Sequence, residues 1–271
     1  MLPYRSEERR LGGNELIGRH GLRGVLTEVY ERLFRRFGAQ GWWPADDDFE
    51  MVVGAILTQS TAWANVEKAI ANLRAGDLLS ADGIASSTEA ELSEAVRPSG
   101  YFRQKALKLD ALVAHLLRHH GGELDSLFHV KLPALREELL GIWGIGPETA
   151  DSIVLYGARQ PVFVVDAYTR RIFSRLGLVD PNSSYDQLQR LFMDHLEPSV
   201  PVFQEYHALI VALGKEICRP RPRCQDCPLL EICPTGRQNG RGPGASRREP
   251  ARETLPDTIR PSDPHAHSPI G

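Results

Sequence analysis

Apolar residues recur at three- and four-residue intervals along most of the chain, the period of one face of an α-helix. The segments 24–37, 49–73, 89–96, 104–119, 135–142, 147–157, 168–176, 184–196 and 202–217 carry this pattern. Only Pro161-Val162-Phe163-Val164-Val165 reads as extended, and it is too short and isolated to imply a sheet. The pattern predicts an all-α protein whose helices bury apolar stripes against one another. No internal repeat appears. Beyond Cys233 the chain turns to Gly, Pro, Ser and charge with few large apolar residues. Residues 235–271 are therefore expected to stay a disordered tail, because they cannot bury enough surface to order themselves. Residues 1–20 are expected to be a flexible N-terminus.

Composition adds limits more than direction. The chain has 271 residues, 42% of them hydrophobic and 25% charged, which suits an ordinary globular protein with a full core. Its net charge of −3 excludes a polycation, so any nucleic-acid contact must come from a local patch. No apolar run reaches signal-peptide or membrane-span length. A cytoplasmic monomer with no membrane partner is the expectation.

All four cysteines fall between Cys218 and Cys233, spaced C-x5-C-x2-C-x5-C. A disulfide framework would spread its links through the fold, so clustered thiols in a reducing compartment point to a metal. A structural zinc usually joins two C-x2-C pairs, and only Cys224 with Cys227 makes one. Iron–sulfur clusters take four cysteines at varied spacing. Spacing alone leaves both open. Arg219, Arg221 and Arg223 inside the first gap could offer positive charge to phosphate.

The stretch GIWGIGPETADSIVLYG, residues 141–157, places Gly144-Ile145-Gly146 between two helices, with Pro147 at the first position of the second. Two glycines let the backbone approach a neighbour closely, and free amides at a helix start suit a phosphate. A plain αα-hairpin with tightly packed glycines reads the same way. About twenty residues on, PVFVVDAYTRRIF delivers Asp166 to the start of another helix.

Helix, Gly-Ile-Gly hairpin, helix and a following acid together resemble the helix-hairpin-helix DNA glycosylase superfamily, the endonuclease III group. The resemblance covers about residues 24–233 and includes Ala55-Ile56-Leu57-Thr58-Gln59 and Gly100-Tyr101-Phe102-Arg103-Gln104-Lys105. It implies a two-lobed helical fold over 21–234, with a six-helix lobe at about 53–160 that holds the hairpin. Residues 21–52 and 161–234 would form the second lobe, ending in a [4Fe–4S] loop on Cys218, Cys224, Cys227 and Cys233. The family loop reads C-x6-C-x2-C-x5-C, so this chain is one residue short in the first gap; zinc remains the alternative. The resemblance also implies damaged double-stranded DNA as partner, Asp166 as catalytic acid, and Gln59, Tyr101, Lys105, Gly144, Gly146 and Thr149 at the DNA. Gln59 and Tyr101 would fill the space left by an extruded base.

In endonuclease III itself the second residue after the hairpin is a lysine that forms a Schiff base with the sugar. Here it is Glu148, which cannot form an imine, although a carboxylate in a first helical turn is favourable anyway. GIGPETAD, VVDAYT, RPSGYFRQKA, TQSTAWANVEKA and GWWP are similar to the 3-methyladenine DNA glycosylase III branch. That similarity implies a base pocket of Trp42, Trp43, Pro44 and Trp63; tryptophans are otherwise commonly core residues. Indole faces attract cations, and 3- and 7-alkylated purines are cationic. The expected function is a monofunctional DNA glycosylase acting on an alkylated purine. Its rivals are a bifunctional glycosylase/lyase for oxidised pyrimidines and a non-catalytic damaged-DNA-binding protein.

Overall fold

The computed structural model describes residues 8–240, and among them there is no β-strand. Helix α1 (Glu8–Phe37) includes most of the segment expected to be flexible and breaks at Gly21, where φ is 65°. There follow α2 (Asp48–Leu57), α3 (Trp63–Ala75), α4 (Ala81–Ser86), α5 (Glu89–Ala95), α6 (Phe102–His120), α7 (Leu124–Phe128) and α8 (Ala134–Leu140). Helix α9 (Pro147–Ser152) runs on as a π-helical turn over Ile153–Gly157. The chain ends in α10 (Ala167–Arg175), α11 (Tyr185–Met193), α12 (Val200–Glu216) and α13 (Pro234–Gly240).

The single helix expected over 49–73 is two. Thr58 caps α2, Ser60 takes a left-handed φ of 54°, and Ala62 is extended ahead of α3. The apolar period hides this break because both helices bury their stripes in the same core. Helices α4 and α7 lie where no helix is expected; each is a short turn with one or two buried residues. Short elements of that kind give little periodicity to detect. Helix α13 takes in the first residues of the expected tail and packs against α1 and α10. The rest of that tail lies outside the described residues.

Helices α2 to α6 pack among themselves, while α12 gathers α1 and α10. The π-helical turn touches both α2 and α12 and so joins the two groups. Pro161–Val165 forms neither helix nor strand, and Val162 to Val165 are buried. Side chains replace the missing ladder: Gln189 donates to the Phe163 carbonyl at 2.8 Å, and the Val165 amide donates to the Tyr185 hydroxyl at 3.3 Å. Asp151 of α9, fully buried, accepts from Arg136 of α8 at 2.7 Å and from Tyr185 and Gln189 of α11 at 2.7 Å each. This saturated carboxylate fixes the hairpin against the segment that delivers Asp166.

Candidate active site

Gly144 has φ 87°, and a Cβ there would meet Lys108 Cγ at 2.3 Å, so the turn requires glycine for conformation and for space. A Cβ on Gly146 would meet nothing within 4 Å, leaving that backbone open. Gln59 donates to the Gly144 carbonyl at 3.3 Å and to Thr149 Oγ1 at 2.9 Å, and Lys108 Nζ donates to Gln59 Oε1. Gln59, Lys108, Gly144 and the buried Thr149 thus make one polar node beneath the hairpin turn.

Tyr101 is 74% exposed and takes a left-handed φ of 46°, an uncommon state for a bulky residue. With Gln59, Ser60, Gln104, Lys105 and Lys108 it lines one open depression, so the two residues expected to fill a vacated base position share one surface. Lys105, expected at the DNA, belongs to the same depression but is almost wholly buried. It is 2% exposed and donates to the Leu57 carbonyl at 2.8 Å and the Ser99 carbonyl at 2.6 Å. Burial, with Lys108 beside it, brings its ammonium down to about 8. Lys105 is an internal clasp between the end of α2 and the turn before Tyr101, because its position on α6 faces the core.

Asp166 caps α10: its Oδ1 accepts from the Thr169 amide at 2.6 Å and the Thr169 hydroxyl at 2.8 Å. Oδ2 faces His207 Nε2 of α12 across 3.7 Å, with both side chains under 10% exposed. Burial alone would raise the Asp166 carboxyl, but His207 and the two Thr169 groups outweigh it and hold it below the ordinary aspartate value. His207 Nδ1 lies 2.7 Å from the Tyr156 hydroxyl, while its buried Nε2 has no hydrogen-bond partner. Glu148 is exposed, yet desolvation where it faces the site and the neighbouring Asp166 push it up to about 7, against the opposing pull of His207. Two carboxyl groups with opposed protonation tendencies therefore share the site.

Trp42, Trp43 and Trp63 form a triangle with ring centroids 5.5 to 5.7 Å apart, none of them fully buried. Trp43 reaches Tyr156 at 5.3 Å, and Tyr156 reaches His207 at 5.9 Å. An aromatic path thus runs from the tryptophans to Asp166. Lys215 Nζ stands 5.4 Å above the Trp42 ring, and the indole N–H groups of Trp42 and Trp43 are buried without partners. Pro44, the remaining residue of the expected pocket, is exposed in the connection before α2. Sequence reading missed His207, Tyr156, Lys108 and Lys215. The one available signal was a histidine on the otherwise apolar run Tyr206–Leu213.

The four cysteines are unpaired and line one small cavity with Arg175 and Thr235. Arg175 donates to Cys218 Sγ at 3.2 Å, and the Gly236 amide donates to Cys233 Sγ at 3.3 Å. Burial and the facing thiols push Cys227 up to about 11, and Cys233 also rises. Arg219, Arg221 and Arg223 are all exposed on this loop.

The family model of the HhH-GPD superfamily base excision DNA repair proteins matches residues 53–198. A protein of Methanocaldococcus jannaschii, provisionally named a DNA repair glycosylase, is 42% identical over 216 residues, 77% of this chain and 96% of its own. The chain belongs to the HhH-GPD superfamily. Endonuclease III of Thermotoga maritima is 28% identical to this HhH-GPD protein over 83% of the chain and the whole of the relative. Among solved structures, a trapped endonuclease III–DNA covalent intermediate superposes with a TM-score of 0.71 at 23% identity, covering 81% of this chain and 99% of that one. The Helicobacter pylori 3-methyladenine DNA glycosylase bound to 1,N6-ethenoadenine gives 0.61 at 29% identity, covering 72% and 97%. The HhH-GPD fold is thus endonuclease III-like, and the protein is a base excision repair enzyme of the DNA N-glycosylase class.

Proposed function

We propose that this enzyme is a monofunctional glycosylase that hydrolyses the N-glycosidic bond of a cationic, alkylated purine turned out of damaged double-stranded DNA. One observation carries the reading: the hairpin presents the carboxyl of Glu148, not an amine, to the site held by Asp166. Without an amine at that position no Schiff base forms from the hairpin, and the sugar is left for water. In the step, water oxygen bonds C1′ as the C1′–N bond breaks, and the bonding pair leaves with the base and cancels its charge. Ionised Asp166 stabilises the positive sugar and takes up the proton from water. The half-buried indoles of Trp42, Trp43 and Trp63 offer faces for a cationic base. Tyr101 and Gln59 would enter the space it vacates.

The cysteine loop fits a [4Fe–4S] cluster better than a lone zinc. Among the described residues, the only three ligand atoms gathered within 4.8 Å lie elsewhere, whereas four thiolates on one zinc sit about 3.8 Å apart. The donors aimed at Cys218 and Cys233 suit a cluster that carries negative charge onto its sulfurs. Bound there, the cluster supplies a rigid knot for a loop that presents three arginines.

The test joins base release from methylated DNA with borohydride trapping. Release of 3- or 7-methylpurine with no trapped adduct is expected. Asp166→Asn should lower release about 100- to 1,000-fold while abasic-DNA binding persists. Efficient trapping in the wild type would instead establish a lyase, and tight damaged-DNA binding with no release would establish a non-catalytic binder.

A further inference from the structure

On the far end of α6 from Tyr101, Glu138 of α8 stands between two imidazoles. Its Oε1 lies 2.7 Å from His115 Nε2 and 2.6 Å from His120 Nε2. These three ligand atoms all lie within 4.8 Å of one another, the only such set among the described residues. The side chains are 20%, 9% and 23% exposed for His115, His120 and Glu138, so the group is held in place yet open to solvent on one side. From the histidine-carboxylate convergence we propose that His115, His120 and Glu138 form a binding site for a borderline divalent cation of the zinc type, separate from the cysteine loop.

The ligand chemistry fits that class of ion. Two imidazoles and one carboxylate are a common zinc donor set, and a hard ion such as magnesium prefers oxygen alone. His120 also has outer support: its Nδ1 lies 3.2 Å from Ser126 Oγ of α7. When Nε2 bonds a metal, Nδ1 carries the ring proton and the serine hydroxyl accepts it, which fixes the ring orientation. Zinc bonds of about 2.0 Å in a tetrahedron need ligand atoms about 3.3 Å apart. Each imidazole nitrogen, now 2.6–2.7 Å from the Glu138 oxygen, reaches that spacing from the carboxylate by a shift of side-chain tips. The fourth position falls to water.

The location gives the ion a purpose. Helix α6 begins just after the exposed Tyr101, and α8 leads directly into the Gly144–Gly146 turn. A cation on His115, His120 and Glu138 would tie α8, which leads into the hairpin, to the end of α6 away from Tyr101.

The experiment adds Zn2+ alone to the full chain, purified with its cysteine loop in the native state. The readouts are metal stoichiometry, the zinc X-ray absorption shell and thermal unfolding. We expect one further zinc per chain, a nitrogen/oxygen shell near about 2.0 Å, and no comparable uptake of Mg2+. The midpoint should rise roughly 5–10 °C at free zinc about a hundredfold above Kd. The His115→Ala/His120→Ala pair and Glu138→Gln should each weaken uptake at least about tenfold. A sulfur shell near about 2.3 Å, or no uptake by the wild type at about 100 µM zinc, overturns the site. Undiminished uptake in the paired variant overturns it too. Because the absorption shell is read on the wild type, it tests the site even if a variant misfolds.

Discussion

Asp166 Oδ2 and His207 Nε2 face each other across 3.7 Å, inside the core yet short of a hydrogen bond. An ionised carboxylate repels a nitrogen lone pair, so Nε2 carries a hydrogen towards Asp166. In the neutral ring Nδ1 then accepts from the Tyr156 hydroxyl, 2.7 Å away. His207 is a positioning residue that keeps Asp166 ionised. In His207→Phe the restraint on the Asp166 carboxyl is lost and its pKa rises, so the acidic limb of the pH–rate profile should move to higher pH. Activity at pH 5 should fall more than activity at pH 8. A uniform loss at all pH values would mean that His207 only supports packing.

Glu148 gives a pH signature of a different kind. Its folded value of about 7 lies above the ordinary glutamate value, so the folded form holds a proton that the unfolded chain releases first. The unfolded state gains charge as pH rises from about 4.5, and stability from this group therefore declines until about pH 7. Glu148→Gln should remove that decline. Thermal midpoints of the two proteins across pH 4 to 8 should converge at the acidic end and separate towards neutral pH, with the variant higher. Parallel curves would place Glu148 in bulk-like solvent.

The tryptophan triangle predicts selectivity by charge. Trp43→Ala should weaken binding of DNA carrying a cationic base by roughly 2- to 30-fold, the range of one cation–π contact. Binding of abasic DNA should change less. Competition between methylated and unmodified duplexes reads the difference. An equal loss on both would mean that Trp43 serves mainly as packing between Gly54 and Tyr156.

Cys224→Ser should remove iron and sulfide and lower the thermal midpoint, because a bound cluster adds its binding free energy to the folded state. The purified wild type should be yellow-brown. Zinc at one per chain without iron, read together with a sulfur absorption shell, would assign the loop to zinc instead.

The helical class, the glycine turn, the position of Asp166 at a helix start and the clustering of the four cysteines were legible in the sequence, because each depends on local chemistry. Helical period follows from which residues are apolar, and a turn with φ of 87° needs glycine wherever it occurs. A cap needs a short acceptor just before the first position of its helix. What tertiary structure decided is the partner of each group. Lys105 and Lys108 are three residues apart on one helix, yet the first is buried as a clasp and the second reaches Gln59. Their difference lies in which side of α6 meets α2, a fact of packing that no local pattern states. His207 meets Asp166 across 41 positions, and Glu138 meets His115 across 23, only because folded helices place them side by side. Residue type sets what each side chain can donate, accept or ionise; the packing of α6, α8 and α12 decides which of those capacities meet.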